Sequence, residues 1–270
     1  MADNIYLRLT AEFNAGRTRA IVSSGQAVVL HRLAIMSKDG DWILREEAEA
    51  LEHVLGMLAR HGARYRFGAP LDSRWMAGGW SSHFQFSEGP LRVRTDFVTR
   101  PPRLSPQQLA AVWREQEGGD PPVVGLPALA ELKKTDREKD YAVIGELARS
   151  MSDPRDQLRY SRSARDLLDL VHRHPDLAAE VAANRPLLAR VVDGREALEA
   201  ALDAERREMM RANERRLAAY RQAAADWSAA WTALDREISA LPLLEAHRIM
   251  AGRAEGLLPF SPLGRSGADV

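Results

Sequence analysis

The chain has 270 residues, with 38 basic and 38 acidic side chains and therefore no formal net charge, which removes the global attraction that drives non-specific nucleic-acid binding. It contains no cysteine, so disulfides and thiolate metal sites are excluded. Its start lacks the basic residues and apolar run of a secretory signal, and no apolar stretch reaches the ~20 residues a bilayer span needs, so a cytoplasmic protein without membrane association is expected.

Ala20-Ile21-Val22-Ser23 reads as a strand, and Val28, Val29 and Leu33 predict a helix from Gln26 to about Ile35, with Ser24-Gly25 as the turn between them. Trp42-Ile43-Leu44 continues a strand from Asp39. Glu46 to His61 is a helix carrying Leu51, Val54, Leu55 and Leu58 at helical spacing, and its acidic first turn suits the helix dipole. Tyr65 to Phe67, Ser82 to Phe86 and Leu91 to Val98 are further strands, while Gly68 to Trp80 reads as a loop.

Ser105-Pro106 supplies an N-cap and first-turn proline for a helix through Glu117, which Gly118-Gly119-Asp120-Pro121-Pro122 ends. Helices are also expected from Ala128 to Lys134 and from Asp136 to Arg149. Beyond Asp153 strand signals vanish and Ala, Leu, Arg and Glu dominate. Asn213, Leu217, Tyr220, Ala224, Trp227, Trp231, Leu234, Ile238 and Leu241 keep alternating four- and three-residue steps, the seam of a helix packed lengthwise on another. That partner helix is either internal, as in a hairpin, or supplied by a protein partner or a second copy. The fold expected is α/β (α+β), a mixed sheet with flanking helices over residues 1–150, then a helical domain of long antiparallel helices over 151–255 and a loose tail over 256–270.

On a strand, residues two apart point the same way, so Asp39 and Asp41 would present two carboxylates on one face. Two like charges that close repel, and a divalent cation relieves the repulsion; oxygen-only ligands favour Mg²⁺ or Mn²⁺ over zinc. The competing reading is a solvated Asp-Gly turn. Gly25 sits where a strand becomes a helix, the place where backbone N–H groups attract phosphate. Arg92, Arg94 and Asp96 share one face of their strand, opposite Leu91, Val93, Thr95 and Phe97; Asp96 is either a third acidic ligand or a surface carboxylate paired with arginine.

Together, Ser24-Gly25, Asp39-Gly40-Asp41 and Asp96 resemble the signature of the polymerase β-like nucleotidyltransferase superfamily. A second block, Leu129 to Asp140 with Lys133-Lys134 and Arg137-Glu138-Lys139-Asp140, is similar to an element of its small bacterial branch, which includes abortive-infection toxins of toxin–antitoxin pairs. The resemblance spans about Thr18 to Arg149. It implies that Asp39, Asp41 and Asp96 bind Mg²⁺, with Asp96 also acting on the attacking hydroxyl. It further implies that Ser24 and Gly25 cradle the triphosphate of an NTP, that Lys133 reaches the phosphates or base, and that Asp140 orients its helix or contacts the nucleotide. Lys133, Lys134, Arg137 and Lys139 have a simpler reading as a solvated helix face.

The sequence departs from that pattern: Ile35 stands where the family often has arginine, Ser37 replaces threonine, and Gly40 occupies a usually apolar position. The reaction implied is transfer of an NMP from an NTP to an acceptor hydroxyl on an RNA end such as tRNA, a protein or a small molecule; the rival is an inactive relative acting as an interaction or antitoxin module. His172 and His174, two apart on a helix, face different directions and read as surface residues. Trp75, Trp80, His83, Phe84 and Phe86 read as core packing rather than base stacking. No Ser-His-Asp or Walker-type spacing is visible.

Overall fold

Period-two alternation in the strands over 82–88 and 91–98 gives that part of the sheet one apolar and one polar face, whereas the strands over 20–23 and 40–44 are buried on both sides. In the computed structural model, which describes residues 4–262, the chain forms two units: one of residues up to 124 together with those from 218 onward, the other of residues 125–217. The first unit begins with α1 (Ile5–Phe13), β1 (Ala20–Ser23), α2 (Ser24–Leu30), β2 (Gly40–Leu44), α3 (Ala48–Arg60) and β3 (Arg64–Gly68). It continues through α4 (Ser73–Met76), β4 (Ser82–Glu88), β5 (Leu91–Val98) and α5 (Pro106–Gln116).

The sheet order is β1-β2-β5-β4-β3, parallel between β2 and β5 and antiparallel elsewhere. This mixed sheet with flanking helices and a helical C-terminal region is the architecture expected. Helix α1 was not foreseen, although Ile5, Leu9 and Phe13 recur at i, i+4 and Asn4 caps it by accepting from Tyr6 N at 3.0 Å. Its apolar face meets Trp42, which stacks on Phe97 at 5.4 Å and donates its indole N–H to Thr10 Oγ1 at 2.9 Å.

Helix α2 stops short of the expected Ile35. Arg32 takes a left-handed φ of 62°, Leu33 N–H bonds the Val28 carbonyl and Arg32 N–H that of Val29, a Schellman ending with arginine where glycine is usual. The chain beyond leaves Ile35 98% exposed. Helix α4 lies within the expected 68–80 loop, capped by Asp72, which accepts from Arg74 N at 2.9 Å.

The second unit contains α6 (Leu126–Leu132), α7 (Glu138–Ser150), α8 (Pro154–Tyr160), α9 (Ala164–Arg173), α10 (Pro175–Ala182) and a 3₁₀ segment over Pro186–Asp193. Helix α11 (Arg195–Ala223) carries the chain out of it, and α12 (Ala225–Ile238) and α13 (Leu243–Leu257) follow. Leu158, Leu167, Leu170, Val181, Leu187, Leu198 and Leu202 form this unit's core. Arg185 clamps it by donating to the Leu158 carbonyl at 2.6 Å and to Glu205 at 2.9 Å.

The units divide the chain differently from the expected 1–150 and 151–255. The blocks through Asp140 on which half the resemblance rests fall in the second unit, and α12 and α13 rejoin the first. The repeat through Asn213 to Leu241 is not one seam. Asn213 is buried in the second unit, where its Nδ2 donates to the Lys134 carbonyl at 2.7 Å, whereas Trp227, Leu234 and Ile238 pack in the core of the first. Apolar residues there pack in the core of the first unit and not along a single helical seam. Of the expected loose tail, α13 reaches Leu257 and the Leu258 carbonyl accepts from Trp75 Nε1 at 3.0 Å; residues 263–270 lie outside the described residues. Among the described residues no helix is long and apolar enough to cross a membrane.

Candidate functional site

Strand register brings the candidate residues together. Ser23 pairs with Asp41, Asp41 with Asp96, Asp96 with His83 and His83 with Phe67, so one row of residues crosses all five strands on the polar face. Beside it, Arg94 pairs with Gln85 and Gln85 with Arg64, and an Arg94 guanidinium nitrogen lies 3.8 Å from Asp39 Oδ1. On the opposite face Val93, Thr95 and Phe97 are buried, as the alternation in β5 predicts.

Asp39 immediately precedes β2 rather than lying in it. Gly40, between the two aspartates, faces the core, where an added Cβ would sit 2.4 Å from Trp42 and 2.5 Å from Tyr6. Glycine here is therefore a close-approach requirement and not a weakened strand position. The Tyr6 hydroxyl donates to the Lys38 carbonyl at 2.8 Å. Burial pushes its pKa up, and the charges of Asp39 and, more weakly, Asp41 push it further, against the lowering effect of Arg94, so the acidic pair makes a negative field here. Asp39 Oδ1 is buried and has no hydrogen-bond partner among the described residues, an acceptor in want of a donor or cation.

The Ser24-Gly25 turn adjoins this pair. A Cβ on Gly25 would lie 2.3 Å from Ser37 Oγ, Ser37 Oγ donates to the Asp39 carbonyl at 3.1 Å, and Gln26 Nε2 reaches the Ser37 carbonyl at 3.3 Å. Ser24 takes a left-handed φ of 49°, a conformation that costs a residue with a Cβ of order 1 kcal/mol.

Asp96, expected as a third ligand, is held otherwise. Its Oδ1 accepts from Arg66 Nη2 at 2.8 Å and from His83 Nδ1 at 2.8 Å. Among the described residues no three Asp, Glu or His side chains could hold a metal ion together, so the expected three-carboxylate group is not assembled. The irregularity between Tyr65 and Phe67 in β3 is what delivers Arg66: the extra residue of a bulge turns toward the polar face. Lys133 and Asp140 lie in the other unit, buried, with Lys133 Nζ 3.4 Å from Asp140 Oδ1. Asp140 also accepts from Thr135 at 2.6 Å and Arg137 Nε at 2.7 Å. Burial pushes its pKa up, yet Thr135, Lys133 and Arg137 together hold it below the ordinary carboxylate range. Lys133 is thus neither on a solvated helix face nor without a counter-charge.

Sequence reasoning grouped His83 with the aromatic core and passed over Arg66. Trp75, Trp80, Phe84 and Phe86 are indeed buried in the core, but His83 alternates with Phe84 and points the other way. That alternation was legible; its pairing with Asp96 was not, because register between distant strands has no local signal.

No protein-family model and no curated protein matches the chain. It is similar to two solved structures from Helicobacter pylori. One is a candidate nucleotidyltransferase, with TM-score 0.38 and 11% identity over 78% of this chain and 94% of that chain. The other is JHP933, with TM-score 0.36 and 10% identity over 78% of this chain and 92% of that chain. At that level of likeness no residue role transfers.

Proposed function

We propose that the chain is a metal-dependent nucleotidyltransferase that moves an NMP from an NTP to an acceptor hydroxyl, releasing pyrophosphate. The observation that carries this reading is the buried Asp39 Oδ1, without a hydrogen-bond partner among the described residues, next to Asp41 and on a segment that Ser37 ties to the Ser24-Gly25 turn. The donor set fits Mg²⁺ or Mn²⁺, because such ions are commonly held by one or two carboxylates completed by substrate phosphates and water. Asp39 and Asp41 would hold the ion; when bound, it would neutralise charge on the transferring phosphoryl group. Ser24 and Gly25 would lie along the triphosphate, and Arg94 would balance its charge from the neighbouring strand. Asp96, oriented by Arg66 and His83, would face the acceptor hydroxyl. The acceptor is an RNA end, a protein or a small molecule, and the resemblance to abortive-infection toxins extends the reading to a toxin–antitoxin or phage-defence setting.

A second reading, an inactive relative serving as an interaction or antitoxin module, is favoured by the Arg66 and His83 contacts that already occupy Asp96 Oδ1 and the exposed Ile35-Met36 tip. Incubation with each α-labelled NTP, magnesium or manganese, and cellular RNA and protein separates the two. The enzyme reading expects label in one fraction and its loss in Asp41→Asn. No incorporation with any nucleotide refutes it, and full activity in Asp41→Asn removes Asp41 from the site.

A further inference from the structure

The Asp96 and His83 contact continues to a hydroxyl. Ser81 Oγ lies 2.7 Å from His83 Nε2, while His83 Nδ1 lies 2.8 Å from Asp96 Oδ1. Arg66 can only donate to Oδ1, so that oxygen acts as an acceptor toward His83 as well. Nδ1 then carries the ring proton, and Nε2 presents its lone pair to the Ser81 hydroxyl. This is the arrangement of a nucleophile, a base and a group that orients the base. No spacing in the sequence announces it, because such a set is defined by geometry and not by chain order.

The imidazole is fixed from two further sides. Phe67 stacks on it at 4.2 Å with an interplanar angle of 19°, and an added Cβ on Gly68, whose φ is 94°, would lie 2.6 Å from its Cδ2. The surroundings select the electrophile. Arg66, bonded to the same carboxylate oxygen, has a buried Nε without a hydrogen-bond partner among the described residues, and Arg64 and Arg94 occupy the adjoining row. Guanidinium donors around the carboxylate that orients this base favour an anionic, phosphoryl centre on the same face of the sheet.

We propose that Ser81 is a nucleophile and the chain's own nucleotidyl acceptor. This rests on the nucleotidyltransferase reading above. A bond forms from Ser81 Oγ to the α-phosphorus of an NTP as the bond to the bridging oxygen breaks. Pyrophosphate leaves with that electron pair, and the Oγ proton passes to His83 Nε2, whose positive ring faces Asp96.

Two measurements on the full chain test this. The first is incubation with α-labelled NTPs and magnesium, with and without cellular RNA and protein, followed by denaturing gels and peptide mass mapping. The second uses a fluorophosphonate probe with neither nucleotide nor metal. The expectation is an NMP on Ser81, lost in Ser81→Ala, together with phosphonylation of Ser81 that slows on the order of 10²-fold in His83→Gln; melting temperatures check that both variants fold. Label on other acceptors with none on Ser81 overturns this inference and leaves the transferase reading standing. Absence of label anywhere overturns both. A Ser81 inert to the fluorophosphonate, or a His83→Gln variant as reactive as the wild type, refutes its activation whatever the nucleotide assay shows.

Discussion

Replacing Gly40 by alanine adds one methyl group to a space already filled. The new carbon would sit 2.4 Å from Trp42 Cη2, 2.5 Å from Tyr6 Cδ1 and 2.6 Å from Trp42 Cζ3, all below van der Waals contact. Neither ring can give way cheaply. Trp42 is fully buried, stacked on Phe97, edge-on to Phe13 at 5.3 Å and hydrogen-bonded through its indole N–H to Thr10, while Tyr6 is tied to the Lys38 carbonyl. Overpacking of a core typically costs about 1–3 kcal/mol, and a site closed on two sides belongs at the upper end. With a melting shift of about 2–4 °C per kcal/mol for a chain of this size class, the expected loss is roughly 6–12 °C. Chemical denaturation monitored by tryptophan fluorescence gives the free energy directly, since the substituted residue touches Trp42. The movement of Tyr6 or Trp42 would also shift the flanking Asp39 and Asp41, so NTP-dependent labelling should fall with stability. A Gly40→Ala protein within about 0.5 kcal/mol of wild type would refute the account of why glycine stands between the two aspartates.

Two further predictions concern the second unit. Lys133→Met should destabilise it by about 3 kcal/mol in urea unfolding, the lower end for a broken buried pair because Arg137 still serves Asp140; Lys133→Met with Asp140→Leu should recover much of that loss, and a single-variant effect below about 1 kcal/mol would contradict a buried pair. Burial pushes the Glu205 carboxyl up, but Arg185 and Arg162 hold it below the ordinary range, so its contribution is complete above the unfolded value of about 4.3 and disappears as pH falls through the lower folded value. Melting temperature should therefore drop more steeply below about pH 4 in the wild type than in Glu205→Gln, and parallel acid limbs would rule out that linkage.

Much of the architecture was legible because its signals are local. Alternation in Leu91 to Val98 marks β5 and its two faces, Ser105-Pro106 marks the start of α5, and the spacing from Leu51 to Leu58 marks α3. Local signals also misled. The apolar series running to Ile35 suggested a longer α2, but a backbone ending at Arg32 overrode it, and the repeat from Asn213 to Leu241 suggested one helical seam where the residues serve two different cores. Lys133 looked like a solvated or phosphate-seeking cation because sequence cannot tell that Asp140, seven residues on, closes over it in a buried pair.

The candidate site divides along the same line. The amino-acid sequence by itself determined that Asp39, Asp41 and Asp96 stand beside or on strands with their neighbours turned to the core, since side-chain direction follows from the pleat and needs only adjacent residues. Only tertiary structure decided that Asp41, Asp96, His83 and Phe67 share one row, that a bulge in β3 sends Arg66 to Asp96, and that Ser81 meets His83 Nε2. Those facts depend on pairing between segments far apart in the chain, where a slip of one residue would send every side chain to the opposite face.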